Sequence, residues 1–348
     1  MFDVEGSDIT IVTLSNRRGM RVQLMDLGAT WLSCVLPVSD DEPREVLLGV
    51  DNLSDFERQS CYMGSTIGRY ANRIAHGRYR DQDGAEVSLS TNHQTHCLHG
   101  GAQGFDRRRW DIVGKSSNSV RFALHSADGD QGFPGQLTVH LEYVLNDNDQ
   151  LMVHYQAQTT KPCPVSLTNH AYFNLNGEGS QHSGAEQWLS VNADYFFAVD
   201  EHGIPEPRPK PVAGTAFELH TPRYLADSLL LDPQQQGTKG YDHSVIRRAE
   251  DGQPLPLCAT LASRDKKVVL TLTTSQPAMQ IYTGNWLSGQ PARHQRTYQD
   301  YHGVAIEPQL LPNAPNNPQW CQSPWHQPEP LLYPGQVYQQ WIGYHFSF

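Results

Sequence analysis

Apolar and polar side chains alternate with a period of two along most of this chain, the spacing that puts every second residue on one face of a strand. Ile9, Ile11 and Thr13 begin the pattern, and Met20–Ala29 repeats it and turns at Gly28. Val46–Gly49 reads as a short buried strand, and Val120, Phe122 and Leu124 alternate with Arg121, Ala123 and His125. The strongest signal is a hairpin. Leu137, Val139, Leu141, Tyr143 and Leu145 share a face, Asn146-Asp147-Asn148-Asp149 supplies turn residues, and Leu151, Val153, Tyr155 and Ala157 resume the alternation. Val268, Leu270 and Leu272, then Ala278–Tyr282 closed by Gly284, then Gln336–Phe346 continue it. Helical spacing is confined to Asn52–Arg58 and Pro222–Ala226, each one or two turns. Many strands separated by Gly, Pro, Asn and Asp predict an all-β sandwich or barrel.

The chain has 348 residues, 38% hydrophobic and 18% charged, which is ample material for a core. Length alone suggests about two domains. The Pro-rich stretches Pro205–Pro211 and Pro312–Pro330 are short and hold apolar residues, so they read as surface loops of one domain spanning residues 1–348. A formal net charge of −11 argues against a nucleic-acid partner, which needs clustered Lys and Arg. Cys34, Cys61, Cys97, Cys163, Cys258 and Cys321 are scattered without a C-x-x-C pair, so neither a zinc site nor a redox dithiol is indicated. The first residues lack the basic and apolar regions of an export signal. No apolar run approaches the roughly 18 residues of a membrane span. The expectation is a soluble cytoplasmic protein with reduced thiols and no membrane association.

Five stretches carry candidate chemistry. Pro162–Gly177 starts like a strand, with Val165 and Leu167 alternating with Ser166 and Thr168, and holds His170 among Asn169, Tyr172 and Asn174. Imidazole is the side chain that exchanges a proton most readily near neutral pH. Gly64–Ile74 places Arg69, Asn72 and Arg73 beside small residues, a set suited to hydroxyls or a carbonyl, or to a solvated turn. In Cys97-Leu98-His99-Gly100-Gly101 the paired glycines would let a ligand approach the ring closely. Asp242, between Tyr241 and His243, can accept hydrogen bonds from sugar hydroxyls or serve a turn. Glu307 ends an apolar run, Gly303–Ile306, where desolvation would raise its pKa and make it a better base. No G-x-S-x-G elbow is present. Gly129–Gly135 lacks the Lys and the following helix of a phosphate loop.

Six motifs in order resemble the aldose 1-epimerase, or galactose mutarotase, family: Asn72-Arg73-Ile74, Leu98-His99-Gly100-Gly101, Asp128–Gly135, Thr168–Leu175, Tyr241-Asp242-His243 and Glu307-Pro308-Gln309. The resemblance covers almost the whole chain and implies that family's large antiparallel β-sandwich, the galactose mutarotase-like supersandwich. It implies cofactor-free, metal-free interconversion of the α and β anomers of a free aldohexose such as galactose or glucose, by a monomer or weak homodimer. Glu307 then matches the base that removes the C1 hydroxyl proton, and His170 the acid that protonates the ring oxygen, with the two on opposite sides of the ring. His99 and Arg73 match binding residues, Asp242 a hydroxyl-orienting carboxylate, and Asn72 and Gln280 further binding contributors. Phe105, Tyr172, Tyr282 and Trp286 are candidates for the aromatic under the sugar. Two rival readings are a non-catalytic carbohydrate-binding protein and a hexose 6-phosphate epimerase. The second would need cations for the phosphate, for which Arg107-Arg108-Arg109 is a candidate and a solvated face the alternative.

Overall fold

A computed structural model describes residues 2–3, 7–39, 42–247, 256–322, 324–325 and 327–348. The hairpin read from the sequence forms in the expected register: Leu137–Leu145 pairs with Gln150–Thr159, from Leu137↔Thr159 to Leu145↔Leu151. Leu137, Val139, Leu141 and Tyr143 are buried, while His140 between them is exposed, as a period of two requires. The Asn146 side chain accepts hydrogen bonds from the backbone N–H groups of Asn148 and Gln150, which closes the turn.

Among the described residues this hairpin belongs to a nine-stranded sheet. Its order is Asp111–Lys115, Ser119–Ser126, Leu137–Leu145, Gln150–Thr159, Tyr338–Ser347, Val269–Thr274, Cys258–Ala262, Trp188–Val191 and Arg223–Tyr224. A six-stranded sheet runs Tyr172–Phe173, Val304–Gln309, Ala278–Tyr282, Asp242–Ile246, Tyr195–Phe196 and Lys210–Pro211. A four-stranded sheet holds Ile11–Ser15, Arg21–Met25, Thr30–Ser39 and Glu42–Glu45. Strand pairs in all three are antiparallel. The sheets bury their apolar faces against one another, which makes the fold an antiparallel β-sandwich. Trp31, Phe173 and Tyr344, one from each sheet, meet at centroid distances of 5.0 to 5.8 Å.

Two strand expectations change. Val46–Gly49 is buried but contributes a single bridge, Leu47↔Phe173. The stretch Pro162–Gly177 is no continuous strand. It breaks into the two-residue ladders Cys163–Pro164, Thr168–Asn169 and Tyr172–Phe173, each paired with a different partner. A single partner strand could not serve a segment that turns from one sheet to the next. Leu53–Arg58 is helical, with Asn52 as its cap, and Leu225–Ser228 forms one turn. A third helix, Pro233–Thr238, was not legible as periodicity; a capping box of Asp232 and Gln235 starts it. Of the two Pro-rich stretches, Lys210–Pro211 joins a sheet edge, and Ala314–Asn316 and Pro318–Cys321 are short 3₁₀ turns; residues 323 and 326 lie outside the described residues. All six cysteines are unpaired. Among the described residues no helix is long and apolar enough to cross a membrane.

Candidate active site

The register of the six-stranded sheet builds one wall of a cavity of about 420 Å³, within the range of small-molecule sites. Asp242 lies opposite Tyr282, Ser244 opposite Gln280, Gln280 opposite Glu307, and Tyr282 opposite Ala305. Residues directly opposite on neighbouring strands have Cβ atoms about 5 Å apart on one face, so three strands bring these side chains together. The intervening Met279, Ile281, Val245 and Ile306 point into the core.

The other wall comes from the broken stretches. The backbone of His170 is tied on both sides: its N–H donates to Ser65 O and its C=O accepts from Gly64 N, each at 2.9 Å. Arg73–Ile74 pairs with Cys97–Leu98, which sets Asn72 and Arg73 beside His99. Asn72 and His99 both adopt positive φ, 64° and 51°, a left-handed backbone that turns their side chains inward. His170 Nε2 and Glu307 Oε1 are 3.6 Å apart, both buried, and both residues line the cavity. Arg73 Nη2 stands 4.0 Å from Asp242 Oδ2. Among the described residues Glu307 Oε2, His170 Nδ1 and Arg73 Nε are buried without a hydrogen-bond partner, a concentration that marks a site built to receive polar groups.

Burial sets the proton affinities. It pushes the Glu307 carboxyl well above the usual range; the Asp242 charge adds to this and Arg73 opposes it. It pushes His170 down to about 4, against smaller raising effects from its own backbone and from Asp242. In water a Glu–His pair holding one proton keeps it on the imidazole by about two pKa units. These opposed shifts move the pair toward the form with the proton on Glu307 and both groups uncharged. Side by side in one cavity, the two groups titrate as a pair that shares a proton.

His99 is held differently. Burial lowers its pKa far below 6.5, with His170 and Arg73 adding to the effect, so the ring is neutral. Its Nδ1 accepts the Asn72 backbone N–H at 3.1 Å, which places the ring proton on Nε2. His99 is thus a neutral N–H donor. One ligand-type atom each from His99, His170 and Glu307 lies within 4.8 Å of the others, a spacing near that of a cation site. The tautomer argues against a cation there, because one His99 nitrogen is protonated and the lone pair of the other is engaged.

Comparison with known proteins carries the fold and site into a family. The aldose 1-epimerase family model matches residues 10–345. The aldose 1-epimerase of Escherichia coli K12 is 43% identical, over 98% of this chain and 96% of that protein. The chain belongs to the aldose 1-epimerase family. The galactose mutarotase of Sus scrofa is 37% identical, over 94% of this chain and 91% of that one. Among solved structures, an aldose epimerase homologue from C. elegans superposes with a TM-score of 0.86 at 29% identity, covering 97% of this chain and 99% of the other. The galactose 1-epimerase of Lactobacillus acidophilus NCFM gives 0.83 at 27% identity, covering 100% of this chain and 97% of its own.

Within this aldose 1-epimerase sandwich, Glu307, His170, Arg73, Asn72, His99 and Asp242 all line one cavity. Gln280 does not. It lies behind Asp242, where its amide N–H donates to Asp242 Oδ1 at 2.6 Å and its carbonyl accepts from Ser244 Oγ at 2.5 Å. The placement of the central pair also differs from expectation. Atoms 3.6 Å apart leave no room for a pyranose between them, so Glu307 and His170 stand side by side. The two oxygens they would serve are bonded to the same carbon, which fits neighbouring groups better than opposed ones. The glycines after His99 serve packing: a Cβ on Gly100 would lie 1.9 Å from Gly68 O, and one on Gly101 3.0 Å from Gln131 Oε1. Arg69 is structural, its guanidinium bound to Ser126, Ala127, Pro134 and Gly135. Arg107, Arg108 and Arg109 pair with Asp106, Asp130, and Asp8 and Asp26, and none lines the cavity.

Of the aromatic candidates, Phe105 is buried against Gly68 and Trp110, away from the cavity. Tyr172 and Tyr282 line it, and Trp286 stands at its edge, 64% exposed, with Lys239 over its ring. Sequence reasoning missed Tyr62. Its ring lies edge-on to His99 at 4.6 Å and nearly parallel to His170 at 6.0 Å. A backbone φ of 59° turns it there, and nothing in Cys61-Tyr62-Met63 signals that turn.

Proposed function

We propose that this chain is a mutarotase, an isomerase that interconverts the α and β anomers of a free aldohexose, with Glu307 as base and His170 as acid. The observation that carries the reading is the buried Glu307–His170 pair, 3.6 Å apart in a cavity lined with hydroxyl-binding side chains. Ring opening starts with the shared proton on His170. Glu307 takes the proton from the C1 hydroxyl while His170 gives its proton to the ring oxygen, and the C1–O bond breaks to leave the aldehyde. The pair now holds its proton on Glu307. Rotation about C1–C2 presents the other face, and the same transfers run backward to close the opposite anomer. One proton enters and one leaves at each stage, so the reaction as proposed draws on no cofactor. The neutral His99 N–H is a donor toward the sugar, and Arg73, Asn72 and Asp242 orient its hydroxyls.

The same reading takes residues 1–348 as one domain, the family match spanning 10–345. It also takes the chain as a cytoplasmic monomer or weak homodimer, a location supported by six unpaired cysteines. Polarimetry tests the activity. Freshly dissolved α-D-glucose and α-D-galactose should change rotation faster in the presence of the protein. Binding of either sugar without that acceleration would leave a carbohydrate-binding protein and sink the enzyme.

A further inference from the structure

The hydroxyl-binding carboxylate, Asp242, stands at the end of a chain of hydrogen bonds that starts outside the cavity lining. Ser244 and Gln280 face each other across neighbouring strands, and both are almost wholly buried. The Ser244 hydroxyl donates to Gln280 Oε1 at 2.5 Å, and Gln280 Nε2 donates to Asp242 Oδ1 at 2.6 Å. We propose that Ser244 is a positioning residue for sugar binding: its hydroxyl anchors the Gln280 amide, and the anchored amide fixes the Asp242 carboxylate.

The direction of the chain follows from the donors available. A carboxylate can only accept, so the group 2.6 Å from Asp242 Oδ1 must be the amide nitrogen. The Gln280 carbonyl then faces the other way, where Ser244 is the donor that meets it. A turned amide would put two oxygens against each other at the Asp242 end and leave a hydroxyl facing an NH₂ at the other. The Asp242 end selects the orientation, because a hydroxyl can accept from an NH₂ as well as donate to a carbonyl, and the Ser244 hydrogen bond holds the amide so selected in place. With Oδ1 held from behind, Oδ2 is the oxygen directed at Arg73, 4.0 Å away. Asp242 and Arg73 line the cavity, whereas Ser244 and Gln280 do not. Ser244 acts on the sugar through two intermediaries and touches no reacting atom. Its effect belongs in substrate affinity rather than in proton transfer.

The relay rests on the mutarotase reading, and the experiment separates the two. KM and kcat for galactose are measured by polarimetry in the wild type, Ser244→Ala, Ser244→Thr, Gln280→Ala and the Ser244→Ala/Gln280→Ala double variant. Ser244→Ala should raise KM about 5- to 20-fold, the loss of roughly one oriented hydrogen bond, with kcat within about 2-fold of wild type. Ser244→Thr retains the hydroxyl and should return KM to within about 3-fold of wild type. In the Gln280→Ala background, Ser244→Ala should add nothing further, because the intermediary is gone. An unchanged KM in folded Ser244→Ala overturns the relay, as does an equal effect in both backgrounds or a loss confined to kcat. If the wild type fails to accelerate mutarotation, the underlying reading falls instead.

Discussion

Replacing Glu307 with Gln tests the site from two directions. The side chain keeps its length and volume, so the neighbours Gln280 and His170 keep their positions, while the group that accepts the C1 proton is gone. General-base catalysis contributes about 10² to 10⁴-fold, so kcat should fall by that factor, about 3 to 5 kcal/mol in the barrier, with KM changed much less. Stability should move the other way. Glu307 is 2% exposed, and burial holds its folded pKa well above that of the unfolded chain. Below the unfolded pKa both states are protonated and the group contributes no penalty. As pH rises, the unfolded chain ionises first, and stability is lost until the folded carboxyl has ionised too. Glutamine has no such charge to bury. The variant's melting temperature, relative to wild type, should therefore rise from pH 4.5 to pH 8. Polarimetry gives the first quantity and thermal unfolding at the two pH values the second. A kcat within about 3-fold of wild type would refute the base assignment; a melting advantage that shrinks toward high pH would refute the electrostatics.

Other expectations follow from the same geometry. His170→Asn should lower kcat by about 10²-fold or more and abolish the alkaline limb of the pH–rate profile. The residual rate should still rise with pH as Glu307 ionises, and a profile that keeps both limbs would reassign the acid. In the wild-type protein, burial lowers His243 from 6.5 to about 4, so the unfolded chain takes up that proton first as pH falls. The resulting loss, about 3 kcal/mol across that window, should appear as a falling melting temperature between pH 6.5 and 4, with a shallower slope in His243→Phe; equal slopes would contradict it. Gly100→Ala combines a φ of +90° with a Cβ 1.9 Å from Gly68 O. It should cost more than about 2 kcal/mol of stability and raise KM through displacement of His99, which unfolding and polarimetry together would check.

Period-two alternation was enough to locate most long strands and the Leu137–Thr159 hairpin, because a half-buried strand imposes its geometry on its own sequence. The net charge of −11 likewise argued against a nucleic-acid partner. The catalytic candidates were visible as residue types in unusual settings: a glutamate in an apolar run, and two histidines among small or amide-bearing neighbours. Their meeting was not legible. Gln280 reads as one more polar residue in a strand, and only the register that sets it between Ser244 and Glu307 gives it a partner behind the site instead of a sugar in front. The side-by-side stance of Glu307 and His170 was equally hidden, since one sits in a sheet and the other in a stretch broken between ladders. The turns at Tyr62, Asn72 and His99 are left-handed without a glycine to announce them. Local pattern depends on the side chains of one segment, so a sequence can state it. Strand register, burial and the pKa shifts they cause are properties of segments brought together, and the tertiary structure alone decided them.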